Sequence, residues 1–317
     1  MRTIFTGTSP FAVPCLEAVL ASEHEVAAVV TQQDRPRGRG RELHMPPVKE
    51  IALQHSIPVL QPERIADANS VSELKKHDPI DAMIVVAYGQ KIPPAILEWP
   101  KHGVVNVHGS ILPKYRGAAP IQYAIINGDT QTGITTMLMD EGWDTGDILL
   151  QETVDIGEDE NSGELAVRLA AVGANLLVRT LDGLESGNIS PVKQDDSQAT
   201  LARSLDRDAG AIDWSKTAGD IVNLIRGCTP RPGAFTNVDD TQVKVWRAVV
   251  VQPTGRPGEP GEVIDVSRDG VLVAAGEGSV KLIEVQPESR KRMSAGDFAR
   301  GSDVAVGSRF RTRAQGD

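Results

Sequence analysis

An asparagine, a histidine and an aspartate stand at spacings that suit acyl transfer to an amine. Asn106 and His108 follow a short apolar run at residues 103–105, and they alternate with Val107. On a strand, both side chains therefore point to the same face of the sheet. Asp144 lies in a glycine-rich acidic loop at residues 140–147, after the next apolar run. An amide can donate to an oxyanion, an imidazole can exchange protons, and a carboxylate can orient the imidazole. This set needs no metal.

The stretches around these residues resemble the signature of a known family. Residues 106–121 read NVHGSILPKYRGAAPI and residues 140–147 read DEGWDTGD. They are similar to the 10-formyltetrahydrofolate-dependent formyltransferases, and most closely to the methionyl-tRNA formyltransferases. The similarity runs from Thr6 to about Gly301. It implies that Asn106, His108 and Asp144 are catalytic, that 10-formyltetrahydrofolate is the co-substrate, and that charged initiator tRNA is the acceptor in translation initiation.

The role of His108 stays open between two possibilities. It can act as the general base that takes the amine proton, with Asp144 assisting, or it can mainly stabilise the oxyanion beside Asn106. A covalent route is not supported by the sequence. Neither cysteine lies near the motif, and Ser110 is not in a G-x-S-x-G turn.

The resemblance also implies a folate pocket at the ends of two apolar runs. The pocket would be formed by the loop at residues 88–93, which follows the apolar run 82–87, and by the acidic loop at residues 140–147. The alternative to a folate-binding role for residues 88–93 is a plain connecting turn. The residues carried over as folate-binding candidates are Tyr88, Gly89, Ile92, Ser110, Ile111, Leu112, Pro113 and Asp140.

Two basic segments are candidate tRNA contacts. In residues 34–41 arginines alternate with proline and glycine, which predicts neither a helix nor a strand. Arginine forks match phosphate oxygens, although a solvated loop is the alternative. The resemblance implies that this loop enters the acceptor stem, with Arg39 and Arg41 favoured over the others. The candidates in the first segment are Arg35, Arg37, Arg39 and Arg41. The candidates in the second segment are Arg290, Lys291 and Arg292, and the alternative for this second segment is a solvated turn without an RNA contact.

Hydrophobic periodicity predicts an α/β fold. Strands at residues 2–5, 26–30, 82–87, 133–139 and 147–154 are interleaved with helices at residues 11–21, 47–55, 121–127 and 162–184. This order indicates a Rossmann-like, mostly parallel sheet. Short strands at residues 242–250, 261–266, 270–275 and 280–285 indicate a small β-barrel, which the resemblance implies is OB-like (oligonucleotide-binding-like).

The length and charge of the chain limit the number of domains and the kinds of partner that are expected. A chain of 317 residues predicts two domains: a catalytic domain at residues 1–189, a linker at 190–207 and a tRNA-binding domain at 208–317. The net charge of −10 argues against nucleic acid, but residues 204–317 carry as many basic as acidic side chains. No apolar run suits a membrane span, no signal peptide is recognised, and the two cysteines fit no metal spacing. We expect a cytoplasmic monomer that holds no metal.

Three other functions remain open from the sequence. The same chemistry could act on a nucleotide-linked amino sugar, it could hydrolyse the formyl folate, or the chain could bind folate or RNA without catalysis. The arginine-rich loop and the absence of a further fused domain favour tRNA as the acceptor. Arg231 departs from the family, which often has an aromatic residue between the two prolines at that place.

Overall fold

The computed structural model describes residues 1–37, 42–252 and 258–312. Two compact units emerge from the contacts between residues. Unit 1 comprises Met1–Gly117, Thr132–Asp155 and Ala166–Ala202, and unit 2 comprises Ala118–Gln131, Ile156–Leu165 and Arg203–Asp317. The chain therefore passes between the units more than once. The sequence-based boundaries at residues 189 and 208 remain a proposal about domains.

The first half of the chain alternates strands with helices, as predicted. Its elements are β1 (Arg2–Gly7), α1 (Val13–Leu20), β2 (Glu25–Val30), β3 (Arg35–Arg37), β4 (Glu42–His44), α2 (Pro47–Gln54), β5 (Val59–Leu60), α3 (Ala68–Lys75), β6 (Ala82–Val86), α4 (Pro94–Leu97), β7 (Val104–His108), α5 (Pro120–Ile126), β8 (Gln131–Leu138), β9 (Ile148–Asp155) and α6 (Ser162–Glu185).

The large sheet of unit 1 has the strand order β5-β2-β1-β6-β7-β8-β9. The first five strands of this order pair in parallel, and β8 pairs antiparallel with β7. The predicted mostly parallel sheet is confirmed. Strands β6 and β7 are buried along their whole length, as expected for central strands covered on both faces. The site residues of β7 therefore lie on a buried strand near the centre of the sheet.

Helix α6 covers β7 closely because Gly173 faces the strand. A Cβ added at Gly173 would come within 3.1 Å of Val107 Cγ1. The helix starts with a capping box, in which Asn161 Oδ1 accepts from the backbone N of Glu164 and Glu164 Oε2 accepts from the backbone N of Asn161. The predicted helix at residues 162–184 is confirmed, and its apolar side chains Leu165 and Leu169 are fully buried.

One prediction about the arginine-rich segment is wrong. Residues 34–41 were expected to form neither helix nor strand, yet β3 pairs antiparallel with β4. Both strands of a two-stranded ribbon are edge strands. Pro36 can therefore leave its missing N–H on the open side of the ladder. The remaining residues of this segment, 38–41, lie outside the described part of the chain.

The second half of the chain contains the expected short strands. Its elements are α7 (Ala218–Cys228), β10 (Ala234–Val238), β11 (Thr241–Val251), β12 (Val263–Ser267), β13 (Gly270–Ala274), β14 (Ser279–Pro287), β15 (Met293–Ser294), α8 (Ala295–Gly301) and β16 (Phe310–Arg311). They form an antiparallel curled sheet with the order β12-β13-β14-β11-β10-β16, and β15 pairs with β14.

The core of unit 2 lies on one face of this sheet. Val243 and Val245 of β11 are fully buried, whereas Lys244 and Trp246, which alternate with them, lie on the other face. Trp214 closes the core, donating from Nε1 to Thr236 Oγ1 at 2.9 Å. One face of β11 thus stabilises the fold, and the other is available for contacts.

No helix among the described residues has the length and apolar character needed to cross a membrane.

Candidate active site

The two motif residues of β7 lie side by side at the end of a buried strand. Asn106 is 8% exposed and His108 is 5% exposed. In the ladder with β8 they stand opposite Met137 and Thr135. Within the described residues, the side-chain amide of Asn106 makes no hydrogen bond, so its donors remain available to a bound substrate. Such an amide is suited to hold a developing negative charge.

The ring of His108 is fixed by a backbone carbonyl. Its Nε2 lies 2.9 Å from the carbonyl oxygen of Tyr115. A carbonyl oxygen can only accept, so Nε2 carries the hydrogen. The nitrogen left to take a proton is Nδ1, which faces Asp144 Oδ1 at 3.7 Å. That separation exceeds hydrogen-bond length, and catalytic contacts of this kind often tighten only when substrate binds.

Asp144 is held by the backbone of the motif loop. Its Oδ2 accepts from the backbone N of Gly117 at 2.8 Å, and its side chain is 15% exposed. The backbone of Asp144 is left-handed, with φ of 54°. A left-handed aspartate is uncommon and is kept only where neighbouring contacts over-determine it. This left-handed conformation places the carboxylate of Asp144 so that it faces His108.

The acidic loop around Asp144 is tied by its own residues. Both carboxylate oxygens of Asp140 accept from Thr145 Oγ1, and Oδ1 also accepts from the backbone N of Gly142. Gly146 lies so close to the carbonyl oxygen of Leu138 that a Cβ there would collide with it. Asp140, predicted to bind folate, is therefore also a structural residue of the loop.

The segment after His108 is anchored by β8 and β9. Thr135 Oγ1 donates to the carbonyl of Ser110 at 2.7 Å and accepts from the backbone N of Leu112 at 3.1 Å. Gln151 Nε2 donates to the carbonyl of Leu112 at 2.9 Å. Ser110 Oγ is used internally, on the carbonyl of Lys114. The other two folate candidates of this segment, Ile111 and Pro113, flank Leu112.

The loop after β6 places its candidates in two different environments. The side chains of Tyr88 and Ile92 lie in a buried hydrophobic cluster, and burial raises the pKa of the Tyr88 phenol to about 12. The carbonyl of Tyr88 accepts from Gln32 Nε2 and Thr8 Oγ1. Gly89 has φ of 87° and borders Gln32 Nε2 closely. Gln32 was not predicted from the sequence.

Two further polar residues, Arg116 and Gln194, belong to the site, although the sequence analysis did not single them out. Arg116 is 8% exposed, and its guanidinium donates to Gln194 Oε1. Gln194 in turn donates to the carbonyls of Asp144 and Gly146. Arg116 stands within the motif stretch, but Gln194 lies in the segment predicted to be a linker. Only the folded chain brings it to the site.

Comparison with known proteins identifies the family. The family model described as formyl transferase matches residues 1–181, and the model described as formyl transferase, C-terminal domain, matches residues 204–303. The methionyl-tRNA formyltransferase of Lachnospira eligens is 47% identical over 311 residues, which cover 97% of this chain and 98% of the relative. That of Solibacter usitatus is 50% identical over 301 residues, covering 95% and 96%. The chain belongs to the methionyl-tRNA formyltransferase family. The resemblance seen in the sequence is confirmed, and the chain is an enzyme of formyl transfer.

Solved structures with the same fold are less similar to this chain in sequence than these relatives are. The sugar 3N-formyl transferase WlaRD superposes with a TM-score of 0.66 at 17% identity, covering 92% of this chain and 99% of WlaRD. HypX from Aquifex aeolicus, solved with tetrahydrofolic acid, gives a TM-score of 0.64 at 17% identity. This chain spans about half of HypX, covering 47% of it and 94% of itself. At such identities the likeness shows a shared fold only.

The structure describes some, but not all, of the basic residues predicted to contact tRNA. Arg35 is exposed in β3, and its Nη2 donates to Gln32 Oε1 at 2.6 Å. The backbone of Arg37 ends the same strand, whereas Arg39 and Arg41 lie outside the described residues. Arg290, Lys291 and Arg292 are exposed between β14 and β15.

The cysteines are unsuited to nucleophilic chemistry. Burial raises the pKa of Cys15 to about 12 and that of Cys228 to about 11, and both thiols are free. The thiolate is the reactive form of cysteine, so neither is reactive near neutral pH. No cluster of three or more metal-ligating side chains occurs among the residues that the structure describes.

Proposed function

We propose that this enzyme transfers the formyl group of 10-formyltetrahydrofolate to the amino group of methionine on charged initiator tRNA, for translation initiation. The observation that carries the proposal is similarity at 45–50% identity, over nearly the whole chain, to relatives named methionyl-tRNA formyltransferase. The cluster of Asn106, His108 and Asp144 supplies the three groups that the reaction needs.

The reaction is an exchange of one carbon–nitrogen bond for another. The bound folate supplies the formyl carbon, whose bond to the folate nitrogen breaks as a bond to the acceptor amine forms. The amine must lose a proton, the tetrahedral oxyanion must be held, and the leaving nitrogen must regain a proton. No atom is oxidised or reduced, so the protein has to supply only proton transfer and charge stabilisation.

The geometry gives each site residue a role. Asn106 donates its free amide to the oxyanion. In the general-base route His108 takes the amine proton on Nδ1, because Nε2 already donates to the carbonyl of Tyr115. The imidazolium so formed has Asp144 facing its new N–H, which stabilises the charge. The same imidazolium can instead stabilise the oxyanion beside Asn106, and this alternative stays open.

The folate pocket is proposed at the C-terminal edge of the parallel strands. Ligands in open α/β sheets bind at this edge. The backbone around Gly89 and the segment from Ser110 to Pro113 follow the parallel strands β6 and β7 at this edge. The loop of Asp140 follows the antiparallel strand β8, and it is included because its Asp144 faces His108. Tyr88 and Ile92 lie beneath the first of these loops as buried support.

The RNA contact in unit 2 is proposed on the outer face of β11. The guanidinium of Arg292 lies 3.5 Å from the centre of the Trp246 ring, and Lys244 Nζ lies 5.7 Å from it. Lys244 also borders a cavity of about 600 Å³ together with Arg231, and a second of about 220 Å³ together with Arg207. Cations grouped around an aromatic ring suit a nucleic-acid backbone.

The curled sheet of unit 2 is proposed to be OB-like. Its two ends are joined by hydrogen bonds from Phe310 N to the Gly261 carbonyl and from Val263 N to the Ser308 carbonyl, both 2.8 Å. These bonds support a barrel. We also propose that the enzyme works as a cytoplasmic monomer.

Removing the two cations at Trp246 should weaken the RNA substrate specifically. For Lys244→Ala combined with Arg292→Ala we expect a higher KM for charged tRNA and an unchanged KM for the folate. Each lost phosphate contact lowers the slope of log Kd against log salt by about 1. Titration of tRNA binding at several salt concentrations measures this slope. Arg300→Ala on α8 is the matched control. A salt slope equal to that of the wild type would contradict the contact.

The proposed reaction is tested by incubating the enzyme with 10-formyltetrahydrofolate and methionyl-initiator tRNA. We expect formylmethionine on the tRNA, with one folate consumed for each formyl group transferred. Folate consumption without any acceptor would instead identify a hydrolase. Binding of folate or RNA without consumption would identify a non-catalytic binding protein.

A further inference from the structure

Gln194 uses its whole side-chain amide on two other parts of the site. Its Nε2 donates to the carbonyl of Asp144 at 2.8 Å and to that of Gly146 at 2.7 Å. Its Oε1 accepts from Arg116, at 3.0 Å from Nε and 2.8 Å from Nη2. Guanidinium groups only donate and carbonyls only accept, so the orientation of this amide is unambiguous. Both hydrogens and the oxygen are occupied.

Arg116, the partner of Gln194, is itself fixed at both ends. Its backbone N donates to the carbonyl of Thr200 at 2.8 Å, and its carbonyl accepts from the backbone N of Ala202 at 2.7 Å. Its Nη2 also pairs with Asp196 at 2.7 Å. The next residue is Gly117, whose backbone N binds the carboxylate of Asp144. Gln194 therefore links the two loops that meet at this carboxylate.

The neighbouring residue Tyr115 is held by the same segment. Its backbone N donates to Thr200 Oγ1 at 2.8 Å, and its carbonyl is the acceptor for His108 Nε2. Residues 194–202 thus hold Tyr115, whose carbonyl fixes the His108 ring, and Arg116, which precedes the Gly117 N–H that binds the Asp144 carboxylate. They also bind the backbone of Asp144 directly, through Gln194. A flexible linker would not do this.

We infer that Gln194 is a positioning residue for the formyl transfer, a role that rests on the proposed function. It holds Asp144 in its left-handed conformation by binding the carbonyls on both sides of the turn, and it is itself held by Arg116. Because the left-handed backbone is unfavourable for aspartate, loss of these bonds lets the loop relax and moves the carboxylate away from His108. A displacement of about 1 Å at a reacting group can cost on the order of 10²-fold in rate.

The test is a double-mutant cycle between Gln194→Leu and Asp144→Asn. In the wild-type background we expect Gln194→Leu to lower kcat by about 10- to 100-fold, with the KM for charged tRNA nearly unchanged. In the Asp144→Asn background the same change should lower the rate by less than about 3-fold, because residues that act through one another are not additive. Single-turnover assays with excess enzyme extend the measurable range.

Two further variants separate positioning from general stability. Gln194→Glu keeps an acceptor for Arg116 but has no donor for the two carbonyls, so it should behave like Gln194→Leu and serves where the leucine variant folds poorly. Gln198→Leu is the matched control, because within the described part of the chain Gln198 bonds to Asp195 of its own segment and to no site residue. An equal loss of rate in both backgrounds, or a loss below about 3-fold in the wild-type background, would overturn the inference.

An independent readout does not depend on activity. Hydrogen exchange of the Gly117 amide reports its bond to Asp144, and we expect faster exchange in Gln194→Leu than in Gln198→Leu. Unchanged exchange would contradict the inference. If the wild-type enzyme transfers no formyl group, the proposed function fails, while this exchange still reports whether Gln194 holds Asp144.

Discussion

Replacing Asn106 by alanine should lower the kcat of formyl transfer by about 10²- to 10³-fold, the loss typical for one oxyanion donor. The amide of Asn106 makes no hydrogen bond within the described residues, so it does not hold the fold together through such a bond. In the proposed reaction, its donors bind the charge that develops on the oxyanion. We therefore expect the KM values for tRNA and folate to change little. Steady-state kinetics with each substrate varied in turn measure this separation.

The matched control for this change is Asn69→Ala, which removes an exposed asparagine amide from α3. That variant should keep the wild-type rate. An Asn106→Ala enzyme with more than about a third of the wild-type kcat would contradict an oxyanion role, since a lost donor costs far more. A large rise in the KM for folate at unchanged kcat would assign Asn106 to binding instead.

Replacing His108 by alanine should lower kcat by roughly 10²- to 10⁴-fold, the range expected for general acid–base catalysis. The carbonyl of Tyr115 holds Nε2 of the ring, and Nδ1 faces Asp144 at 3.7 Å and remains free to take a proton. Loss of the ring removes the proton acceptor and the positive charge together. The measurement is the single-turnover rate, which isolates the chemical step from product release.

Chemical rescue of His108→Ala distinguishes the two roles left open for this residue. Small amines of increasing basicity should restore the rate progressively if His108 is the general base, because proton transfer follows the strength of the base. Rescue that is independent of basicity would favour oxyanion stabilisation. His55→Ala, which removes an exposed histidine, is the control. A His108→Ala enzyme with more than about a tenth of the wild-type rate would contradict both roles.

The mostly parallel sheet and the position of the motif could be anticipated from the sequence because they depend on apolar patterns. β6 is a continuous apolar run, and β7 begins with the apolar residues Val104 and Val105 before its polar motif residues. Such runs predict buried parallel strands. The alternation of Asn106 and His108 with Val107 then fixes which face of the sheet they share. By contrast, helix α3 was not predicted, because it is short and polar, with Leu74 as its buried residue.

The contacts that aim the site residues could not be anticipated, because most of them use backbone atoms. A backbone carbonyl like that of Tyr115 exists for every residue type, and a backbone N–H like that of Gly117 exists for every type except proline, so these contacts leave no signature in the sequence. Gln194 acts on the carbonyl of a residue 50 positions away, so its role depends on the folded chain. The strand at Arg35–Arg37 was missed for a related reason, since its pairing with β4 outweighs the local preference of proline and arginine.

The most direct test of the proposed function is the choice of acceptor. The enzyme is given 10-formyltetrahydrofolate with methionyl-initiator tRNA, free methionine or an amino-sugar nucleotide, and kcat/KM is measured for each. We expect efficient transfer to the charged tRNA and none above background to the two small acceptors. Efficient transfer to the amino-sugar nucleotide alone would contradict the account of the RNA substrate, although the chemistry of Asn106, His108 and Asp144 would stand.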